Sequence, residues 1–364
     1  MNGAEDLGAY GLSPAMRDAA NARAAAGESP ARVTAVHKER FDLVCDHGAC
    51  HGRLKSSVYF NGGTQLFPTV GDFVLMRYNA LGESTITQTM PRRSFFARKN
   101  PTLGEPEQAV AANFEIVFLM QSLNQDLNPR RLERYLTLAW QSGAVPVVLL
   151  TKADLAPSHD EQLRQIASVA VGADAFAISA KTGYGFDTLG GYLRPGRTIA
   201  LLGSSGVGKS SLVNALAGEA RMAVGGIRED DGRGRHTTTH RQLILLESGV
   251  MIIDTPGMRE LGLQDAGTGL SESFADVEQY FSLCRFSNCA HEREPGCAVQ
   301  AAIRAGELPL SRFESYKKLR RESQYAADQA AYLRRKQQRF SEIARQNRAA
   351  QSSGGKRGTF PGED

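Results

Sequence analysis

The sequence has no stretch of ~18 or more consecutive apolar residues, which leaves no candidate for a membrane-spanning helix. It has few cysteines. Cys45, Cys50, Cys284, Cys289 and Cys297 cannot all pair, and a chain of 364 residues is too large to need disulfide staples. A reducing compartment, the cytoplasm, is expected, with the clustered cysteines serving a metal. There is no large charge of either sign, the formal net charge being +4. That average conceals an asymmetry: residues 311–364 carry 13 Lys/Arg against 6 Asp/Glu, so the remainder sums to −3. A basic tail on a nearly neutral body suits an anionic partner such as nucleic acid, or else a solvated helix face. The first thirty residues lack the apolar run of a signal peptide. They also lack the acid-poor character of a transit peptide, since they carry Glu5, Asp6, Asp18 and Glu28. Residues 1–31 are expected to be a disordered leader.

Hydrophobic residues make up 41% and charged residues 23%, so most of the chain is expected to be globular, in two or three domains. From Arg32 to about Lys99 short strands follow one another, among them Arg32–Val36, Phe41–Val44, Gly71–Tyr78 and Ser84–Thr89. Five or so short strands in that length fit a small closed barrel over residues 32–99. Residues 100–113, with Pro101, Gly104 and Pro106, read as a linker. Over residues 114–268 apolar runs alternate with helical spacing, the pattern of a mostly parallel sheet with helices on both faces. Val145–Leu150, Ala175–Ile178 and Thr198–Leu202 are expected strands of that sheet, and Leu243–Leu246 with Val250–Ile253 a hairpin pair. Residues 269–351 show no strand and end in a long polar helical stretch. Residues 352–364 read as a disordered tail.

Gly203-Ser204-Ser205-Gly206-Val207-Gly208-Lys209-Ser210 matches G-x-x-x-x-G-K-S, between a predicted strand and a predicted helix that continues through Ser211. Its glycines let backbone N–H groups wrap phosphates, and the helix N-terminus adds a favourable dipole. Lys209 is expected on the β/γ-phosphates and Ser210 on Mg²⁺. Downstream, the strand ending in Asp254 runs into Thr255-Pro256-Gly257. Asp254 is expected to hold Mg²⁺, directly or through water, and the Gly257 N–H to sense the γ-phosphate.

Two further strand ends carry base-reading chemistry. Thr151-Lys152-Ala153-Asp154 resembles the Asn-Lys-x-Asp motif of GTPases, with Thr in place of Asn. Guanine presents N1–H and N2–H₂ donors that one carboxylate accepts together. Adenine presents neither, and a carboxylate buried against it stays unpaired. Ser179-Ala180-Lys181 offers a backbone N–H to guanine O6. Alone, the tetrapeptide is equally a helix-capping turn; the two motifs together favour a guanine pocket. Asp154 precedes Gly203 by 49 residues, the reverse of the usual order, so the domain is a permuted one.

The stretch Gly225–His240 is Gly-rich and charged, as a switch loop is, although a flexible surface loop looks the same. Thr238 is expected to complete the Mg²⁺ shell. Met258 stands where many GTPases place the glutamine that orients water. His236 is assigned that work, once a partner orders the loop. Cys284-x4-Cys289-x-His291-x5-Cys297 supplies three thiolates and one imidazole, the complement of a closed structural Zn²⁺ site, with buried free thiols as the alternative. Cys45, His47, Cys50 and His51 form a second cluster on a tight hairpin, whose four groups lie too close in sequence to encircle one metal easily.

The permuted order, the run Gly232-Arg233-Gly234-Arg235-His236-Thr237-Thr238-Thr239, Asp254–Gly257 with its apolar successor, and the cysteine knuckle together resemble one family. It is the bacterial small-ribosomal-subunit-biogenesis GTPases, the ribosome-dependent GTPase A family. The resemblance runs from about Arg32 to Glu322. It implies an α/β fold class with three parts: an N-terminal OB-type β-barrel, a circularly permuted P-loop GTPase domain and a C-terminal zinc-binding helical domain. It also implies GTP/GDP with Mg²⁺, one structural Zn²⁺, and hydrolysis stimulated by the small ribosomal subunit during its late maturation. The expected partners are that particle and its rRNA, with no membrane, and a monomer is expected. Lys55, Arg77, Arg92, Arg93, Arg98 and Lys99 are candidate phosphate contacts on the barrel. Two rival readings are a P-loop ATPase or kinase, and a GTP-binding switch or scaffold with negligible turnover.

Overall fold

The structure, a computed structural model, describes residues 6–38, 40–59, 66–98, 108–124, 127–156, 158–219, 242–254, 267–326 and 328. Its first element is α1 (Pro14–Asn21), where the Ser13 side chain accepts from Met16 N and Pro14 occupies the first turn. Five strands follow: β1 (Ser29–Val36), β2 (Phe41–Cys45), β3 (Gly48–Leu54), then the short helix α2 (Ser56–Tyr59), β4 (Phe73–Arg77) and β5 (Ser84–Thr89). The pairings β1–β2, β2–β3, β4–β5 and β1–β4 are antiparallel and β3–β5 is parallel, so the strands close in the order 1-2-3-5-4-1. That is the closed five-stranded, OB-type barrel the resemblance implied. Ala31, Val33, Leu43, Val74, Met76 and Ile86 fill it, as alternation along each strand requires.

The leader corrects the first expectation. Residues 6–31 are ordered: Leu7, Leu12 and Ala20 pack on Val44, Phe73 and Leu75. An Ala-rich segment with few large apolar side chains holds no clear pattern of its own, but the barrel's outer face gives Leu7, Leu12 and Ala20 something to bury against. The linker is corrected as well. β6 (Phe95–Arg98) pairs antiparallel with β7 (Gln108–Ala112), so the end of residues 100–113 is a strand, while 99–107 lie outside the described residues.

The second domain holds β8 (Ile116–Ser122), α3 (Pro129–Gln141), β9 (Val145–Thr151), α4 (Asp160–Ala167), β10 (Asp174–Ala177), β11 (Thr198–Gly203), α5 (Lys209–Ala217), β12 (Gln242–Leu245) and β13 (Met251–Asp254). The sheet order is β10-β9-β8-β11-β13-β12, parallel except for β12. All seven residues of β8 are buried, as a strand covered on both faces should be, and the two apolar faces form separate cores. β12 also meets barrel strand β1 at Ala35–Gln242, so barrel and nucleotide sheet share hydrogen bonding.

Arg32 lies at that junction, 1% exposed. It donates to the carbonyls of Tyr10, Gly71 and Asn113 and to Thr198 Oγ1, with its guanidinium over the Phe73 ring. Burial lowers its pKa to about 10.

The C-terminal part comprises α6 (Gly267–Ser273), α7 (Ala275–Glu278), α8 (Ala298–Ala305) and α9 (310–326). α6 packs directly on α3: a Cβ on Gly269 would stand 2.3 Å from Thr137 O. Arg312 of α9, 4% exposed, bonds Glu133 of α3 at 2.8 Å and Asp276 of α7 at 2.9 Å. The long helix predicted from Ser311 is described only through this stretch. Among the described residues no helix is long and apolar enough to cross a membrane.

Candidate functional site

Four parallel strands deliver their C-terminal ends to one edge of the sheet: β10, β9, β11 and β13, ending near Ala177, Thr151, Gly203 and Asp254. Ligands of open α/β sheets bind at such an edge. The permutation leaves this edge intact, because it changes which strand comes first in the chain and not where strands lie in the sheet.

The loop Gly203–Ser210 joins β11 to α5. Gly208 caps the helix with φ +109, a left-handed conformation that costs glycine no Cβ clash. Lys209 Nζ donates to the carbonyls of Gly203 at 2.9 Å and Ser204 at 2.8 Å, which holds the ammonium over the loop. Ser210 and Ser211 sit half-buried in the first turn of α5. A loop of backbone N–H groups at a helix start, with one lysine drawn over it, is equipped to cradle a polyphosphate.

Asp254 ends β13, 5% exposed, and its Oδ1 accepts no hydrogen bond. Burial raises its carboxyl above the ordinary range, with Lys209 pulling the other way. A buried carboxylate oxygen without a donor fits a hard dication such as Mg²⁺. Thr238, Gly257, Met258 and His236 lie outside the described residues.

On the neighbouring strand, Thr151 Oγ1 donates to Val207 O at 2.6 Å, and Gln121 O lies 3.3 Å away. The threonine in the asparagine position therefore ties the base-reading strand to the phosphate loop. Lys152 takes the left-handed conformation at φ 61, and Ala153 N bonds Ile178 O at 3.1 Å, joining the two loops expected to read guanine. Ser179 Oγ donates to Asp154 Oδ1 at 2.7 Å, and the Ser179–Gly183 turn places Ala180 beside it with Lys181 exposed. Asp154 stands exposed rather than buried, so only a seated base can desolvate it. Gln121, which also holds the α3 cap Asn128 by two bonds of 3.0 Å, was not singled out by sequence reading, because no spacing marks it. The same is true of His159 and Tyr184, whose rings bridge these loops through a 3.2 Å bond.

The knuckle brings together all four predicted metal residues. The ligand atoms of Cys284, Cys289, His291 and Cys297 lie within 4.8 Å of one another. A tetrahedral Zn²⁺ with bonds of about 2.0–2.3 Å needs its ligand atoms about 3.5–3.8 Å apart, and His291 Nδ1 stands 3.5 Å from Cys284 Sγ and 3.7 Å from Cys297 Sγ. Ala298 N and Gln300 N, at the start of α8, donate to the sulfurs of Cys284 and Cys297 at 3.4 and 3.5 Å, a setting that favours thiolates. Phe281 stacks on the His291 ring at 4.2 Å and fixes its plane. Beside the knuckle runs a cavity of about 470 Å³ lined by Phe281, Phe286, Tyr316, Arg320 and Gln324 among others.

The barrel cations separate into two kinds. Arg92 is a correction: its side chain is buried against Asp72, donating to it at 2.7 and 2.9 Å and to Phe67 O at 2.7 Å, and so is committed to an internal ion pair. Lys55 is exposed, Arg77 faces Glu28 at 3.8 Å, and Arg93 pairs with Glu115 at 3.0 Å. The Arg98 side chain and Lys99 lie outside the described residues.

Comparison with known proteins agrees with this architecture. A family model described as RsgA GTPase matches residues 89–264. An ABC transporter model matches residues 186–357, which include the phosphate loop but begin after both guanine-loop motifs. The chain is 41% identical over 341 residues to small ribosomal subunit biogenesis GTPase RsgA 1 of Listeria monocytogenes, covering 93% of this chain and 96% of that one. It is 42% identical over 324 residues to small ribosomal subunit biogenesis GTPase RsgA of Streptomyces coelicolor, covering 87% of each. The solved structure of YjeQ from Thermotoga maritima superposes with a TM-score of 0.59 at 26% identity, over 80% of this chain and 97% of that one. YloQ, a circularly permuted GTPase, shares the fold with a TM-score of 0.57 at 24% identity, over 83% of this chain and 98% of that one. With a permuted phosphate-loop sheet, an OB-type barrel and a Cys3His knuckle in one chain, and this identity along nearly its whole length, the chain belongs to the RsgA GTPase family.

Proposed function

We propose that the chain hydrolyses GTP on the small ribosomal subunit during that particle's late maturation, with turnover raised by the particle. The observation that carries this reading is the convergence of Asp154, the Gly203–Ser210 loop and Asp254 on one sheet edge, in a chain whose relatives are named for small-subunit biogenesis.

In this reading Asp154 accepts the guanine N1–H and N2–H₂ and Lys152 lays its stem along the base. The backbone of Ser179, Ala180 and Lys181 serves O6. The backbone of Gly203, Ser204, Ser205, Gly206, Val207 and Gly208 wraps the phosphates, helped by Lys209 and by the hydroxyls of Ser210 and Ser211. Ser210, Thr238 and Asp254 hold Mg²⁺, which when bound neutralises charge developing between the β- and γ-phosphates. Gly257 senses the γ-phosphate, and His236 orients the attacking water, since Met258 cannot. Cys284, Cys289, His291 and Cys297 hold zinc and stiffen the knuckle beside an aromatic and basic groove. That groove, the exposed barrel cations and the basic C-terminal segment supply phosphate and base contacts to rRNA. The chain acts as a monomer in the cytoplasm, where its particle is assembled.

Met258 favours a second reading, a GTP-bound switch with negligible turnover. Hydrolysis measured with and without purified small subunits separates the two. The proposal expects at least tenfold stimulation, lost in His236→Ala with GDP affinity unchanged. Equal rates with and without the particle leave the switch reading in its place.

A further inference from the structure

The hairpin motif Cys45-x-His47-x2-Cys50-His51 takes no part in the nucleotide or zinc chemistry. Its four side chains do not converge. The His47 ring stacks on Tyr78 with centroids 4.3 Å apart, and His51 Nδ1 pairs with Asp42 Oδ1 at 2.9 Å. The two thiols do meet: Cys45 Sγ and Cys50 Sγ lie 4.0 Å apart, across a hairpin closed by the pair Cys45–Gly48. The other three cysteines belong to the knuckle. Cys45 is fully buried in the barrel core, whereas Cys50 is half-buried at its edge, so a reagent from solvent reaches Cys50 first.

We propose that Cys45 and Cys50 form a thiol–disulfide exchange site whose oxidant is a low-molecular-weight disulfide. The two thiols are hydrogen-bonded to each other, a contact that lowers the pKa of Cys45 and, with burial, raises that of Cys50. Access from solvent, not acidity, sets Cys50 as the first to react.

In the first step Cys50 loses its proton to solvent and its sulfur attacks one sulfur of the disulfide R–S–S–R. The S–S bond breaks, a Cys50–S–S–R bond forms, and R–S⁻ leaves. Cys45 then gives its proton to a leaving thiolate and attacks the Cys50 sulfur, releasing the second R–S⁻, which is protonated from solvent. Two electrons pass from the cysteine pair to the reagent. The products are one internal disulfide and two R–SH. The nearby second sulfur makes resolution intramolecular, so the mixed disulfide does not accumulate.

The test uses the full, zinc-loaded chain incubated with excess oxidised glutathione, followed by alkylation, intact mass measurement and peptide mapping. The expected product has lost two hydrogens, with Cys45 linked to Cys50 and no glutathione retained on either. Cys45→Ser should trap a stable glutathione on Cys50, and Cys50→Ser should leave Cys45 reacting at least tenfold more slowly than the wild-type pair. Wild-type protein with both thiols still alkylated, or with glutathione held on Cys50, overturns the proposal without needing either variant to fold. Equal reactivity of Cys45 in Cys50→Ser overturns the order of attack.

Discussion

Burial raises the Asp254 carboxyl above the ordinary carboxylate range, and the Lys209 ammonium offsets only part of that. The sign of the consequence follows from linkage. The folded chain binds a proton at Asp254 more tightly than the unfolded chain does, so ionised Asp254 is a destabilising element above the raised value. As pH falls through that value the penalty disappears, and with it the carboxylate that would hold Mg²⁺ in the proposed function. Asp254→Asn should therefore stabilise the nucleotide-free protein by about 1 kcal/mol in thermal or urea unfolding and weaken Mg²⁺-dependent GTP binding severely. An unchanged or lowered melting temperature in the absence of nucleotide contradicts this account of the site. Thr151 makes a second residue-level case. Its hydroxyl has one proton, and the 2.6 Å contact to Val207 O outcompetes the 3.3 Å contact to Gln121 O. Thr151→Ala leaves the Val207 carbonyl without that donor. The expected cost is about 1–3 kcal/mol of stability and faster GDP release, measured with a fluorescent nucleotide. Thr151→Asn, which keeps a donor, should restore slow release.

The helices of the C-terminal part share one apolar core with the nucleotide domain, and buried polar contacts add to it. Arg312 joins α9 to α3 through Glu133, both 4% exposed in their side chains, to α7 through Asp276 and to the end of α6 through the Ser273 carbonyl. Its guanidinium also lies over the Phe274 ring at 4.1 Å. Removing the cation leaves Glu133 charged in a dry place. Arg312→Ala should cost about 3–5 kcal/mol, and the double change Arg312→Met with Glu133→Gln should recover much of it, since replacing a buried pair is far cheaper than breaking one. Additive losses in thermal unfolding of the two single variants and the double would show that the ion pair is not what joins the helices. The arginine appears in the sequence as one of many in a basic tail, with nothing to set it apart from solvated neighbours.

Across the whole molecule the barrel and the nucleotide sheet are joined through Ala35–Gln242 and through Arg32, which reaches the starts of β11 and β13 by way of Thr198 and Met251. Whatever the barrel binds is thereby mechanically connected to strands that end in Gly203 and Asp254. Binding to the ribosomal particle should weaken steeply with salt, as phosphate contacts release counterions. Lys55→Ala should lower the slope of log affinity against log salt by about one, whereas Arg92→Ala should leave the slope alone and destabilise the barrel instead. A reduced slope in Arg92→Ala would return that residue to the RNA face. Much of this was legible in the chain alone. Strand ends with phosphate, guanine and metal chemistry are local patterns, because a backbone turn or a four-residue ligand set is specified by neighbours in sequence. The knuckle, the permuted order and the positions of five of the six nucleotide-domain strands, β9 to β13, were determined at that level. Pairing across long separations was not. The folded leader, the strand at 108–112 and the pairing of Arg92 with Asp72 were decided by tertiary structure. Burial and partners come from surfaces that the sequence does not bring together until the chain has folded.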